Sequence, residues 1–355
     1  MTIHPQDNDQ PHPVDSKISF QEILAQLVRA ETLNEETSRS AFQTIMHGEA
    51  DEAQIGALLA MMQMREVTVE ELTGAARVMR QFVKPLAVDE SLHPLIIDTC
   101  GTGGAQKTFN ISTAAAIVAA GAGAKVAKHG NRSRTGRGSA EILQALGVNI
   151  DATPEIQNRC LLEAGVSFSF AVNHHPAVKY AMPARRALNF PTIFNLLGPL
   201  TNPAGALRQL IGVYQSKFTE PMAKTLHNLG SKRAFVVHGK DGLDELTTTA
   251  PTIVSQLKDG KVSTYEIDAR DYKINRTTLD QLQVNSLDQA VTAMRAILDN
   301  QPGPKQDIVI MNAAMALMTA DLADNLQEGI TAARQSIESG NAKKTLQMLV
   351  TLSNS

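Results

Sequence analysis

Residues 95–112 read Leu-Ile-Ile-Asp-Thr-Cys-Gly-Thr-Gly-Gly-Ala-Gln-Lys-Thr-Phe-Asn-Ile-Ser. A short apolar run ends at Asp98, a glycine-rich loop follows, and a helix of small residues opens near Ser112 and continues to about Ala122. The order strand, loop, helix repeats downstream. Lys125–Ala127 is a short strand, followed by a polar loop and a helix over Ala140–Leu146. Ala234–Val237 is a strand running into another polar loop, and Asp307-Ile-Val-Ile-Met311 reads as a further strand. Strands alternating with helices predict an α/β domain with a mainly parallel central sheet. Residues 251–275 read as a hairpin with its turn at Asp259-Gly260.

Upstream the pattern is helical. Residues 17–88 read as all helix, and Phe20, Ile23, Leu24, Leu27 and Val28 share one helical face. Asn34 caps the next helix, with Glu35, Glu36 and Thr37 in its first turn. Ala53–Met64 is apolar nearly all round, so it is either buried or at a subunit contact. Thr68-Val-Glu-Glu71 is a capping box opening a helix to about Val83, and Pro85 helps end the region. Residues 1–16 are polar and read as a disordered lead-in without a signal-peptide core.

The chain has 355 residues, 43% of them hydrophobic, which is enough for two domains rather than one. Charged residues make up 19% and the net charge is -3, so a chain-wide basic field for nucleic acid is absent. There is no Trp and aromatic content is 4%, which leaves few base-stacking surfaces. Cys100 and Cys160 do not make a disulfide scaffold, which favours a reducing cytoplasmic setting. No run of about 18 apolar residues suggests a membrane span.

Three polar loops follow predicted strands. Ligands of open α/β sheets bind at the carboxyl ends of strands, so the loops are expected to converge. In the first, glycines let backbone N–H groups approach an anion, and the helix from Ser112 adds its N-terminal dipole. The spacing matches neither a Rossmann fingerprint nor a P-loop. Alone, Gly101-Thr-Gly-Gly104 fits a tight turn as well as a phosphate cradle. The second loop, Lys128–Ala140, holds three Arg, one Lys and one His with no acid, as a multiply charged phosphate requires; alone it also reads as a solvated basic loop. The third, His238–Thr247, carries the adjacent carboxylates Asp244 and Glu245. Mg²⁺ takes a few carboxylates plus waters and substrate phosphates, although such a pair in isolation is ordinary surface.

Together these segments resemble the anthranilate phosphoribosyltransferase family, tryptophan-pathway members of the nucleoside-phosphorylase-like phosphoribosyltransferases. The resemblance runs from about residue 17 to the C-terminus. It rests on Asp98–Gly104, Thr108–Ala114, Val126–Ser133, Gly138–Ile150, His175-Pro-Ala177, Thr192–Pro203 and Gly242–Thr247. It implies a small all-helical domain (17–88 joined by about 176–204) and a larger α/β domain (89–175 and 205–355), with the site between them. It also implies a homodimer through the helical domain, and a glutamine amidotransferase subunit as a further partner.

The implied reaction moves the phosphoribosyl group of 5-phosphoribosyl 1-diphosphate onto the amine of anthranilate. Gly101, Thr102, Gly103 and Gly104 would hold the pyrophosphate and ribose. Thr108, Asn110, Ser112 and Thr113 would bind phosphate or metal, and Lys128, Asn131 and Ser139 the diphosphate or ribose. Ser112, Asp244 and Glu245 would hold Mg²⁺, with two ions expected. Gly101, His129, Asn131, His175, Arg185 and Gly198 would line the anthranilate path, with Arg185 on the carboxylate because a guanidinium fork matches it. No residue is expected as a nucleophile, and His129 is either a proton relay or an orienting partner.

Two departures stand out. Ala105 occupies the place where the family has Asp, and the Arg134–Arg137 stretch replaces a run of small hydroxyl residues. Arg134 or Arg137 is therefore expected to take part of the pyrophosphate binding. A pyrimidine nucleoside phosphorylase with the same fold, and a catalytically silent nucleic-acid-binding relative, are the alternative readings.

Overall fold

The computed structural model describes residues 18–103, 108–133 and 135–355; the lead-in expected over residues 1–16 lies outside the described residues. Four helices come first: α1 Phe20–Val28, α2 Glu35–His47, α3 Glu52–Met64 and α4 Val69–Gln81. Their starts are where the capping residues place them. The Asn34 side chain accepts from Thr37 N–H, and the Thr68/Glu71 capping box closes reciprocally. Glu71 does more than cap. Its fully buried carboxylate also takes the Leu33 N–H at 2.8 Å and the Arg65 guanidinium, tying α4 to the α1–α2 connection.

Seven strands form one sheet in the order β3-β2-β1-β4-β5-β6-β7. They are β1 Ile96–Gly101, β2 Lys125–Gly130, β3 Val166–Phe170, β4 Arg208–Gly212, β5 Arg233–Gly239, β6 Thr252–Lys258 and β7 Lys261–Ile267. The first five are parallel and the last two form the antiparallel hairpin expected around Asp259-Gly260. Both faces of the sheet are covered. Leu210, Phe235 and Val237 join the core built by α5 Ile111–Gly121 and the C-terminal helices, whereas Ile211, Ala234 and Val236 join the core of α1–α4. The two-residue alternation of a strand produces this division. The remaining helices are α6 Ser139–Ala145, α7 Pro154–Glu163, α8 Ala171–His174, α9 Met182–Leu188, α10 Ile193–Leu197, α11 Thr219–Asn228, α12 Leu279–Leu282, α13 Leu287–Leu298, α14 Pro304–Thr319, α15 Leu326–Glu338 and α16 Asn341–Ser353.

Four local expectations are corrected. Asp307–Met311 is not a strand but part of α14, whose residues are buried almost throughout. Its β-branched run is short, and the Ala- and Met-rich sequence to Thr319 prolongs it into a helix with Pro304 in its first turn; periodicity cannot separate a fully buried helix from a buried strand. Val28 is 74% exposed, because it lies about 80° round the helix from Phe20, at the rim of the apolar face. The helical region ends at Gln81, and residues 83–88 carry no helix around Pro85, whose ring disfavours the α conformation of the preceding residue. Finally, β2 runs on to Gly130 and β1 to Gly101, so Lys128, His129 and Asp98 belong to strands rather than loops.

Candidate active site

The loops after β1, β2 and β5 meet at the carboxyl edge of the sheet. Lys128, 3% exposed, donates from Nζ to the Thr99 carbonyl and to Ser112 Oγ, the latter at 3.1 Å. Ser112 stands in the first turn of α5. Burial pushes the Lys128 ammonium below its usual value, opposed by Asp98 and Glu245. Asp244 and Glu245 are half-buried beside it. Burial, then the neighbouring Asp244, pushes the Glu245 carboxyl up to about 8, with Lys128 opposing. The Asp244 carboxyl is likewise raised by burial, opposed by His238 and the Gly103 backbone among others.

Two glycines bring Asp244 to this place. Gly101 and Gly212 are register partners on β1 and β4. A Cβ on Gly212 would lie 1.6 Å from the Asp244 carbonyl oxygen, and one on Gly101 would lie 2.8 Å from Asp244 Oδ2. Only bare Cα atoms let the third loop rest on the two strand ends.

The first loop is tethered through Thr102. Its N–H donates to Gly212 C=O at 2.9 Å, its Oγ1 accepts from Tyr214 N–H at 3.0 Å, and its carbonyl accepts from Asn195 Nδ2 at 3.2 Å. Gly103 turns at φ +64, a region that favours glycine. Thr108 Oγ1 donates to the Phe109 carbonyl, and Thr113 is buried in α5. Asn110 Nδ2 donates to the Arg137 carbonyl at 3.0 Å, joining the first two loops. In the second loop, exposed Asn131 accepts from Ser139 Oγ at 3.3 Å, and Arg137 donates from Nη1 to the Val284 carbonyl. Gly104, Ala105 and Arg134 lie outside the described residues.

Next to this charged floor is a neutral wall. His129 Nε2 and His175 Nε2 are 3.2 Å apart, with the Gly198 backbone beside the His129 ring. Burial, and then the neighbouring His175, pushes His129 well below the usual imidazole range. Burial and then His174 push His175 down to about 4. Both rings are neutral at pH 7. Arg185 on α9 stacks its guanidinium carbon 4.9 Å from the centre of the Phe194 ring. The floor suits phosphate and a divalent cation, and the wall suits an aromatic molecule.

Known proteins share this sequence and this fold. Residues 93–343 match the a/b domain of a glycosyl transferase family, and residues 21–83 match the helical bundle domain of a glycosyl transferase family. The chain is 45% identical over 329 residues to the anthranilate phosphoribosyltransferase of Symbiobacterium thermophilum, covering 92% of this chain and 96% of that one. It is 46% identical to that of Methylococcus capsulatus, over 94% and 97% of the two chains. The chain belongs to the anthranilate phosphoribosyltransferase family. The crystal structure of the anthranilate phosphoribosyltransferase from Thermus thermophilus superposes with a TM-score of 0.87 at 35% identity, covering 94% of this chain and 99% of the other. The Saccharomyces cerevisiae family member in complex with PRPP and Mg shares the fold, with a TM-score of 0.84 at 24% identity over 94% and 98%.

Anthranilate phosphoribosyltransferase-like sequence strings thus fold here into one small region: Gly101, Gly103, Ser112, Lys128, Asp244 and Glu245 on the floor, His129, His175 and Gly198 on the wall. Gly212, Asn195 and Asn202 were not singled out from the sequence. Their signal is weak, because a glycine ending a strand and an Asn in a helical loop are common. Their part is visible only once the strands are side by side.

Proposed function

We infer that the chain transfers the phosphoribosyl group of 5-phosphoribosyl 1-diphosphate to anthranilate, giving N-(5-phosphoribosyl)anthranilate and pyrophosphate in tryptophan biosynthesis. The observation that carries this reading is the junction of a charged floor, Lys128 with Ser112, Asp244 and Glu245, and a neutral wall, His129 with His175.

On the floor, Gly101–Gly104 and the α5 N-terminus, with Thr108, Asn110 and Thr113, cradle the donor. Lys128, Asn131 and Ser139 bind its diphosphate and ribose. Arg137 joins them by exchanging the Val284 carbonyl for a phosphate oxygen. Asp244, Glu245 and Ser112 fit Mg²⁺: two crowded carboxylates call for a cation. Mg²⁺ takes few protein ligands, and waters and substrate phosphates complete its shell. When bound, Mg²⁺, one ion or two, neutralises charge on the departing pyrophosphate.

The C1–O bond to pyrophosphate breaks while the anthranilate amine forms its bond to C1 from the opposite face, with inversion, and the resulting secondary ammonium gives up its proton to water or to the departing pyrophosphate. The neutral amine needs no strong base, which agrees with a wall of neutral imidazoles. His129 already engages His175 through Nε2, which favours an orienting role over a relay. Arg185 takes the anthranilate carboxylate while stacked on Phe194. Lys128 stabilises negative charge on the leaving group, and closure of the helical part (17–88 with about 176–204) on the α/β part (89–175 and 205–355) excludes water.

The chain is read as a cytoplasmic homodimer. Its α3 keeps Gly56, Ala57, Ala60 and Met61 half-buried and Met64 89% exposed, an apolar surface suited to a second copy. The test of function is direct. Protein mixed with anthranilate, the diphosphate donor and Mg²⁺ depletes anthranilate fluorescence and releases pyrophosphate in equal amounts. No depletion at high enzyme concentration overturns the acceptor.

A further inference from the structure

The strands β1 and β2 pair only at Ile96↔Lys125 and Ile97↔Val126. Beyond that point each strand continues, β1 against β4 and β2 against β3, with no further ladder pair between the two, and this break in the pairing is the β1–β2 fork. Edge groups left inside the fork need other partners, because an unpaired buried N–H or C=O is costly. Side chains supply them. Lys128 Nζ donates to the Thr99 carbonyl, Asn202 Nδ2 donates to the Ala127 carbonyl at 2.8 Å, and Asp98 Oδ1 accepts from the His129 N–H at 3.1 Å.

Asp98 is fully buried, with Asn202, Lys128 and Cys100 around it, and the reaction as described gives it no task. A buried carboxylate is expensive unless its bonds do something. Its one backbone bond is to the residue whose ring forms the neutral wall. We propose that Asp98 is a positioning residue that holds the His129 backbone at the β1–β2 fork and so sets the imidazole against His175 and Gly198, fixing the acceptor side of the site. This rests on His129 lining the acceptor wall.

Steady-state kinetics with anthranilate and the diphosphate donor test the link on Asp98→Ala, His129→Ala, their double variant and Asp98→Asn. A lost buried hydrogen bond corresponds to about a tenfold change. Asp98→Ala and His129→Ala each raise the anthranilate KM about tenfold and leave the donor KM within about threefold. The double variant is no worse than His129→Ala alone, since the two act through one group. Multiplying effects in the double variant or an unchanged KM in Asp98→Ala overturns the proposal. An unchanged KM in His129→Ala overturns instead the assignment of His129 to the acceptor.

Should Asp98→Ala not fold, Asp98→Asn decides through hydrogen exchange of the His129 amide. Protection and anthranilate KM changing together, or both staying as in wild type, support the link. One changing without the other overturns it.

Discussion

The floor and the wall of the site are neighbours in one strand, yet opposite in character. Lys128 and His129 follow each other in β2, and both are buried. On the Lys128 side burial collects charge: an ammonium, Asp244 and Glu245 lie within reach of one another's fields. On the His129 side burial removes charge: three histidines, His129, His174 and His175, are all pushed toward the neutral form. The pleat of the strand separates them, since successive side chains point to opposite faces. Desolvation acts on both sides, and what differs is whether a counter-charge is built in. The floor has one and suits a charged substrate; the imidazole face has none and suits an aromatic ring with a neutral amine.

The largest effect expected from breaking this contrast is at Lys128. Lys128→Ala removes the cation and leaves the Thr99 carbonyl without its donor. Loss of one donor that stabilises transition-state charge costs about 100-fold or more in rate, about 3 kcal/mol. We expect that loss in kcat/KM for the diphosphate donor, with the anthranilate KM within about threefold. Arginine does not rescue it, because its planar fork cannot replace a compact ammonium among Thr99, Ser112 and Glu245. Kinetics with each substrate varied in turn check this. A change confined to the anthranilate KM would erase the division between floor and wall.

The contrast was only half legible in the sequence. The floor announces itself: glycines between a strand and a helix, a cluster of cations, two adjacent acids. Each is a local pattern, and the strand–helix alternation that brings them together is local too. The wall is different. His129 and His175 stand far apart in the chain and meet only because β2 ends beside the segment after α8. Their neutrality follows from burial, which no spacing reports. The misread strand at Asp307–Met311 has the same cause: α14 is buried all round, so the periodicity that marks a helix is erased. Asp98 was in plain view at the end of an apolar run, but its bond to His129 depends on the parting of β1 from β2.

A smaller effect is expected where the floor is held rather than charged. Gly212→Ala places a methyl where the Asp244 carbonyl oxygen now lies, 1.6 Å away, so the third loop must shift. We expect Mg²⁺ binding in the presence of pyrophosphate, followed by calorimetry, to weaken about tenfold, or about 1.4 kcal/mol, and thermal stability to fall as well, because the group displaced is backbone. Unchanged Mg²⁺ affinity would mean that Asp244 does not need its seat on the strand ends, and the floor would then be looser than the wall.

The smallest effect concerns the wall and reads its neutrality directly. The folded pKa of His175 lies at about 4, below the ordinary 6.5 of an unfolded histidine, chiefly through burial. With the folded value depressed, the unfolded chain binds more protons as pH falls below 6.5, so the folded state loses stability between about 6.5 and 4 and keeps it above that window. Each such histidine contributes at most about 1.4 kcal/mol per pH unit. His129 and His174 shift in the same direction and steepen the loss. Urea unfolding at a series of pH values from 7.5 to 5, on the wild type and His175→Asn, measures the slope. The variant should lose one histidine's share of it and no more. If its slope equals that of the wild type, His175 carries its proton in the folded state, and the wall differs from the floor in shape rather than in charge.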